Sequence, residues 1–267
     1  MNTNTASLQV MLRSLKLSGF RAHLDEVAQR ATREGWTFNT FLYELAAIEV
    51  QERKRRRIER NLHSSGLPVT KTLATLKIER YPPAVQTRIR ELCTGSFVRE
   101  AVNVLAFGLP GRGKSHVLSA VGHELVQKGY RVLFLPTFQL VQRLLVAKRE
   151  FVLEAEFKRL DRFDAVVLDD LGYIQQDRAE MEVLFTFLAQ RYERRSVLIS
   201  SNLVFSQWDR IFKDTMTTVA AIDRVVHHSV ILELTGLSYR SEEAEERLSA
   251  ESSFPDEANK EKTDVEV

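Results

Sequence analysis

The stretch FGLPGRGKSHVL, residues 107 to 118, restricts the fold of this chain more than any other. Gly108, Leu109, Pro110, Gly111, Arg112, Gly113, Lys114 and Ser115 match G-x-x-x-x-G-K-[ST] at every position, and His116 follows. Glycines let a loop turn tightly through backbone conformations that other residues avoid. The loop lies between an apolar run, AVNVLAF (101–107), and a stretch of helical character, SHVLSAVGHELVQKG (115–129). A strand, a glycine loop and a helix in that order form a phosphate cradle, with backbone N–H groups and the helix N-terminus facing the anion. In such a cradle Lys114 reaches the β- and γ-oxygens and Ser115 holds Mg²⁺, so ATP with Mg²⁺ is the expected ligand and residues 108 to 116 its binding set. The loop names the ligand but not the task, because many unrelated reactions use it.

The rest of the chain extends the same pattern. After AVNVLAF come RVLFL (131–135), AVVLD (165–169), SVLIS (196–200) and SVILEL (229–234), each separated from the next by longer helical stretches. Short continuous apolar runs alternating with helices predict an α/β domain with a mainly parallel five-stranded sheet covered on both faces. With 44% hydrophobic residues the chain can bury such a core. The first part differs. Residues 7 to 62 read as helical, and Phe38, Phe41, Leu42, Leu45 and Ile48 form an apolar stripe at helical spacing. HSSGLP (63–68) then stops the helix. The expected organisation is a small helical domain over 1–70, an ATPase domain over 71–245 and an acidic, disordered tail over 246–267.

A second element of the site is DAVVLDDLGY, 164 to 173. A buried strand ending in two acids offers Asp169 as a Mg²⁺ ligand and Asp170 to orient or deprotonate an attacking water. Asp170 could equally be a solvated acid at a strand end. A third is SVLISSN, in which Asn202 ends a strand; its amide can meet a γ-phosphate or a water, or simply open a turn.

Charge points to a partner. The formal net charge is +2, yet from Glu242 onward ten acids face three bases, so residues 1 to 241 carry +9. In QERKRRRIER (51–60), Arg53, Arg56, Arg57 and Arg60 recur on one helical face, with Lys54 and Arg55 beside them. Arg53, Lys54, Arg56, Arg57 and Arg60 are therefore candidate contacts to the phosphates of duplex DNA, although a charge run can also be a solvated face. A single cysteine, Cys93, excludes an internal disulfide and any multi-thiolate metal site. No apolar run has the length of a signal peptide or a membrane span, so a cytoplasmic protein with no membrane partner is expected.

The order of GLPGRGKS, VVLDDLGY, LISSN, DRVVHH and SYR (238–240) closely resembles the IstB family. These are ATPase helpers of bacterial insertion-sequence transposition, within the AAA+ clade that also holds helicase loaders of the DnaC type. The resemblance runs from about residue 8 to residue 240. It implies a P-loop AAA+ ATPase fold, with Asp169 as the magnesium-binding acid, Asp170 as the catalytic acid and Asn202 as the γ-phosphate sensor. It also implies that Arg224 is an arginine finger completing a neighbouring subunit's site, and it places Arg240 near a second sensor. Without the resemblance, Arg224 reads as a surface residue paired with an acid such as Asp223. The function implied is an ATP-dependent homo-oligomer on duplex DNA that recruits or stimulates the transposase of its own element. A helicase loader and a non-hydrolysing DNA-binding switch are the alternatives.

Overall fold

A computed structural model of the chain describes residues 3–172, 177–203, 207–208 and 225–235. Arg224, Arg240 and the acidic tail lie outside the described residues. The chain divides into two compact units, Met1–Ser64 with Val126–Gly129 and Ser65–Leu125 with Tyr130–Val267. The expected boundary lay at residue 70; the division falls where the third helix ends.

The first unit holds α1 (Thr3–Ser14), α2 (Ser18–Glu34) and α3 (Phe38–Ser65). The stretch expected to be helical over 7–62 thus has two breaks, each with a local cause. Lys16 takes the left-handed conformation at φ 56°. Gly35, also left-handed, caps α2 by donating its N–H to the Ala31 carbonyl. Thr37 then accepts from the Thr40 N–H at 3.2 Å, covering a donor in the first turn of α3. The apolar stripe of α3 is only partly used: Leu45 is buried, whereas Phe38 is 93% and Leu42 58% exposed.

What holds α2 against α3 is a buried carboxylate. Glu49 Oε2 accepts from the Gly19 N–H at 2.6 Å and the Phe20 N–H at 3.4 Å, while Oε1 accepts from Arg53 Nε at 2.7 Å. The acid therefore satisfies donors at the positive end of α2. Position 19 must stay small, because a Cβ there would lie 2.9 Å from Glu49 Oε2 and 3.0 Å from its Cα.

The second unit carries the five expected strands, β1 (Asn103–Phe107), β2 (Val132–Pro136), β3 (Ala165–Leu171), β4 (Ser196–Ser201) and β5 (Ser229–Glu233). They form one sheet in the order β2-β3-β4-β1-β5, and every pairing is parallel. β1 and β4, inside the sheet, are buried along their whole length, while the edge strands β2 and β5 are partly exposed. Burial on both faces is why these strands read as unbroken apolar runs. The crossovers are helical: α4 (Pro83–Thr94) and α5 (Ser96–Arg99) precede β1, α6 (Lys114–Gln127) joins it to β2, α7 (Thr137–Arg149) and α8 (Leu153–Leu160) lead to β3, and α9 (Arg178–Arg191) leads to β4. Asp177 and Glu180 form a reciprocal capping box at the start of α9. Leu140, Leu144, Phe157, Leu160, Leu184 and Phe187 from these helices join Leu105, Val166, Leu168 and Ile199 of the strands in one core.

Arg191, 1% exposed, is an unexpected charge in that core. Its guanidinium donates to the carbonyls of Leu160, Phe163 and Ser196, tying the entries to β3 and β4 together. Burial pushes its pKa down to about 10, opposed by Asp161, so the group stays charged at neutral pH. Among the described residues no helix is long and apolar enough to cross a membrane.

Glu49 yields a test. Burial raises its pKa, but the bonds from Arg53, Gly19 and Phe20 outweigh burial and hold it below its ordinary value of 4.5. A folded-state pKa below the unfolded one stabilises above about pH 4.5 and is lost as pH falls through the folded value. Glu49→Gln is expected to lower stability at pH 7 by about 1–3 kcal/mol. Thermal melts of the full chain should show that deficit shrinking progressively below pH 4.5.

Candidate nucleotide site

All strands point the same way, so the loops after β1, β3 and β4 meet at one edge of the sheet, where ligands of open α/β sheets bind. The glycine loop occupies residues 108–113 between β1 and α6. Gly108 has φ 154°, and a Cβ there would stand 2.5 Å from the Leu234 carbonyl oxygen beyond β5. Gly111 and Gly113 are left-handed at φ 82° and 81°. Each glycine of the motif therefore meets a local requirement.

Lys114, the first residue of α6, is buried, and its ammonium donates to the carbonyls of Gly108 at 2.7 Å and Leu109 at 3.1 Å. The loop is thus wrapped around its own cation. Tyr81 supports it from outside: its hydroxyl donates to the Arg112 carbonyl at 3.2 Å. His116 Nε2 lies 3.2 Å from the Thr72 carbonyl and 3.1 Å from Thr75 Oγ1. Burial holds that imidazole below its ordinary pKa, with Lys71 adding to the effect and the Thr72 carbonyl opposing it. As a neutral ring it ties the residues before α4 to the start of α6.

Ser115 Oγ donates to Asp169 Oδ1 at 2.7 Å, so the two residues assigned to Mg²⁺ from sequence are in direct contact. Both are hard oxygen donors, and no cluster of three or more His, Cys, Asp or Glu suited to a metal exists among the described residues. That set fits Mg²⁺, which takes one or two protein oxygens and completes its shell with phosphate and water.

Asp169 and Asp170 lie inside β3, not beyond it. The β3–β4 pairing is regular to Leu168 and resumes at Leu171, so the two acids occupy an irregularity in the ladder. Asp170 has φ 57°, unusual for a residue with a Cβ, and its side chain is exposed. Three hydroxyls tie this segment down. Thr137 Oγ1 donates to the Asp169 carbonyl at 2.9 Å, Ser201 Oγ to the Leu171 carbonyl at 2.8 Å, and Ser200 Oγ to Asp169 Oδ1 at 2.5 Å.

Asn202 follows Ser201, whose register partner on β1 is Phe107 at the loop's entrance, and it makes no hydrogen bond among the described residues. Trp208, fully buried, donates its indole N–H to the Leu203 carbonyl at 3.0 Å and packs edge-on against Phe107, with centroids 6.1 Å apart. The backbone after β4 is thereby anchored beneath the loop. The sequence signal for Ser200, Ser201 and Thr137 is slight, a small polar run in LISSN and a threonine after a proline.

The candidate cations of the first unit also come together. Arg53, Lys54, Arg56, Arg57 and Arg60 line a cleft of about 540 Å³ with Lys16, Glu49 and Val50. They are not equivalent. Arg53 pairs with Glu49 at 2.7 Å and Arg56 with Glu52 at 3.3 Å, whereas Lys54, Arg57 and Arg60 form no ion pair among the described residues. Arg55 is bound to Glu52 and Glu59.

A parallel sheet with a glycine loop after β1, a lysine and serine opening the next helix, and paired acids in β3 defines a P-loop nucleotide-binding protein. The family model described as IstB-like ATP binding protein matches residues 10–247, and the chain belongs to that family. It is 43% identical over 242 residues to an insertion-sequence ATP-binding protein of Sinorhizobium fredii, covering 90% of this chain and 81% of that one. It is 34% identical over 236 residues to the ATP-binding protein of insertion sequence IS21 from Pseudomonas aeruginosa, covering 88% and 89%. Among solved structures, AMPPCP-bound DnaA from Aquifex aeolicus superposes with a TM-score of 0.55 at 17% identity, over 70% of this chain and 57% of that longer one. DnaI superposes with a TM-score of 0.54 at 16% identity, over 64% and 96%. These two likenesses are of fold.

Lys114→Ala removes the one cation enclosed by the loop. Affinity for ATP, measured by titration with a fluorescent analogue, is expected to fall by about 100-fold. Unchanged affinity would take the phosphate role away from the loop.

Proposed function

We propose that the chain is an ATP-hydrolysing, DNA-binding helper that assembles on duplex DNA and recruits or stimulates the transposase of an insertion element. The observation that carries hydrolysis is the convergence of Lys114, Ser115 and the Asp169–Asp170 pair on one sheet edge. Lys114 would leave its loop carbonyls for the β- and γ-phosphates, and Ser115 and Asp169 would hold Mg²⁺. The ion, when bound, supplies positive charge against the phosphate oxygens. Asp170, exposed and held at the end of a pinned segment, would accept a proton from a water that attacks the γ-phosphorus, as ADP leaves. Asn202, whose amide makes no hydrogen bond among the described residues, would orient that water or the γ-phosphate.

Arg224 would complete a neighbouring subunit's site. A guanidinium there stabilises charge that develops on the transferring phosphoryl group, which makes turnover depend on assembly. The transposition context rests on the relatives, which are named as insertion-sequence ATP-binding proteins. DNA contact rests on the basic cleft of the helical unit, which would grip phosphates without reading bases.

The reading is tested by the rate of ATP hydrolysis with and without random-sequence duplex DNA across protein concentrations. Stimulation by DNA and a rate per subunit that rises with concentration are expected; a rate indifferent to both would remove DNA-driven assembly. The cleft makes a sharper demand. Replacing Arg57 and Arg60 with Ala is expected to reduce the slope of log Kd against log salt by about 2. Replacing Arg53 and Arg56, which are already paired with Glu49 and Glu52, should reduce it less. Equal effects would mean that the ion pairs do not survive on DNA. For the finger, Arg224→Ala protein should bind ATP and hydrolyse it poorly, and mixing it with Asp170→Asn protein should restore part of the activity. No restoration would place Arg224 outside a shared site.

A further inference from the structure

Ser200 sits at the penultimate position of β4 and is fully buried. Its hydroxyl makes two bonds in opposite senses: Oγ donates to Asp169 Oδ1 at 2.5 Å and accepts from the Asp170 backbone N–H at 2.8 Å. A hydroxyl has one donor and two acceptor sites, and here the donor is committed to the carboxylate. The same Oδ1 also accepts from Ser115 Oγ, so this oxygen carries two hydroxyls and the rotation of the carboxyl group is fixed.

The second bond matters for a different reason. Asp170 holds φ 57° in a strand whose ladder is irregular between Leu168 and Leu171, so neighbouring strand geometry does not hold its N–H. A non-glycine residue persists in that conformation only when its surroundings over-determine it. The bond to Ser200 supplies such a constraint, and it comes from a residue that also fixes the preceding acid.

We infer that Ser200 is a positioning residue for both acids: it sets the Asp169 carboxylate toward Ser115 for Mg²⁺ and locks the backbone that aims Asp170 at the attacking water. This rests on the proposed Mg²⁺-ATP chemistry, and Ser200 would act through the two acids it bonds to. Thr137 and Ser201 differ from it, since both bond to backbone carbonyls and neither contacts a carboxylate.

The test is Ser200→Ala in the full chain, with Ser119→Ala as control, because the Ser119 hydroxyl is equally buried but has no hydrogen-bond partner among the described residues. ATP affinity is measured with Mg²⁺ and again with EDTA, alongside the melting temperature and kcat. For Ser200→Ala, affinity with Mg²⁺ is expected to fall about 10- to 100-fold and kcat by a similar factor, while affinity in EDTA stays within about twofold of wild type. Ser119→Ala should keep the wild-type Mg²⁺ dependence. An unchanged Mg²⁺ dependence in Ser200→Ala, or an equal loss with and without Mg²⁺, would reduce Ser200 to a packing residue and overturn the inference. If the alanine variant does not fold, Ser200→Cys replaces it under the same criteria, keeping the shape with a weaker hydrogen-bonding group. A wild-type chain that binds Mg²⁺-ATP without turning it over would refute hydrolysis, yet the affinity comparison would still decide the role of Ser200.

Discussion

The carboxylate of Asp169 is the point on which the second unit's site depends. It receives Ser115 from the helix after β1 and Ser200 from β4, while its backbone carbonyl receives Thr137 from the helix after β2. Two crossover helices and a neighbouring strand are thus registered against one residue of β3. That is possible only because the strands are parallel, so that the end of each strand and the start of the next helix arrive at the same edge. An antiparallel neighbour would bring a strand's beginning there, and one of these hydroxyls would be lost from the site.

Rigidity around that carboxylate contrasts with the irregular backbone it sits in. The β3–β4 ladder breaks at the two acids, and Asp170 adopts a left-handed conformation that a residue with a Cβ takes up at some cost. Hydroxyl side chains replace the missing ladder bonds. Serine and threonine suit this task, since a short side chain with a rotatable donor can reach a backbone carbonyl or a carboxylate within a buried sheet edge. The loop behaves similarly: Lys114 stabilises its curvature from inside through the Gly108 and Leu109 carbonyls, and Tyr81 bonds it from outside at Arg112.

In the helical unit a different balance operates. Arg53 and Arg56 are drawn into pairs with Glu49 and Glu52, and Glu49 is itself committed to the N-terminus of α2. The unit therefore uses part of its basic stripe to hold itself together. Lys54, Arg57 and Arg60 line the same cleft and form no ion pair among the described residues.

The sequence by itself determined the sheet, the loop and the identity of the paired acids. Short, β-branched apolar runs alternating with helical stretches read as strands covered on both faces, and glycines at 108, 111 and 113 with Lys114 and Ser115 form a phosphate-binding loop. It also put Arg53, Arg56, Arg57 and Arg60 on one helical face, since periodicity is a local property. Tertiary structure decided what depends on contacts between distant residues. The distinction between arginines with and without an ion pair among the described residues required the side-chain partners, and the split of residues 7–62 into three helices required the left-handed turns at Lys16 and Gly35. Ser200 lies 31 residues from Asp169, and nothing in LISSN tells which serine faces a carboxylate and which a carbonyl. In a strand successive side chains point to opposite faces, so only the register of β4 between β3 and β1 settles that choice.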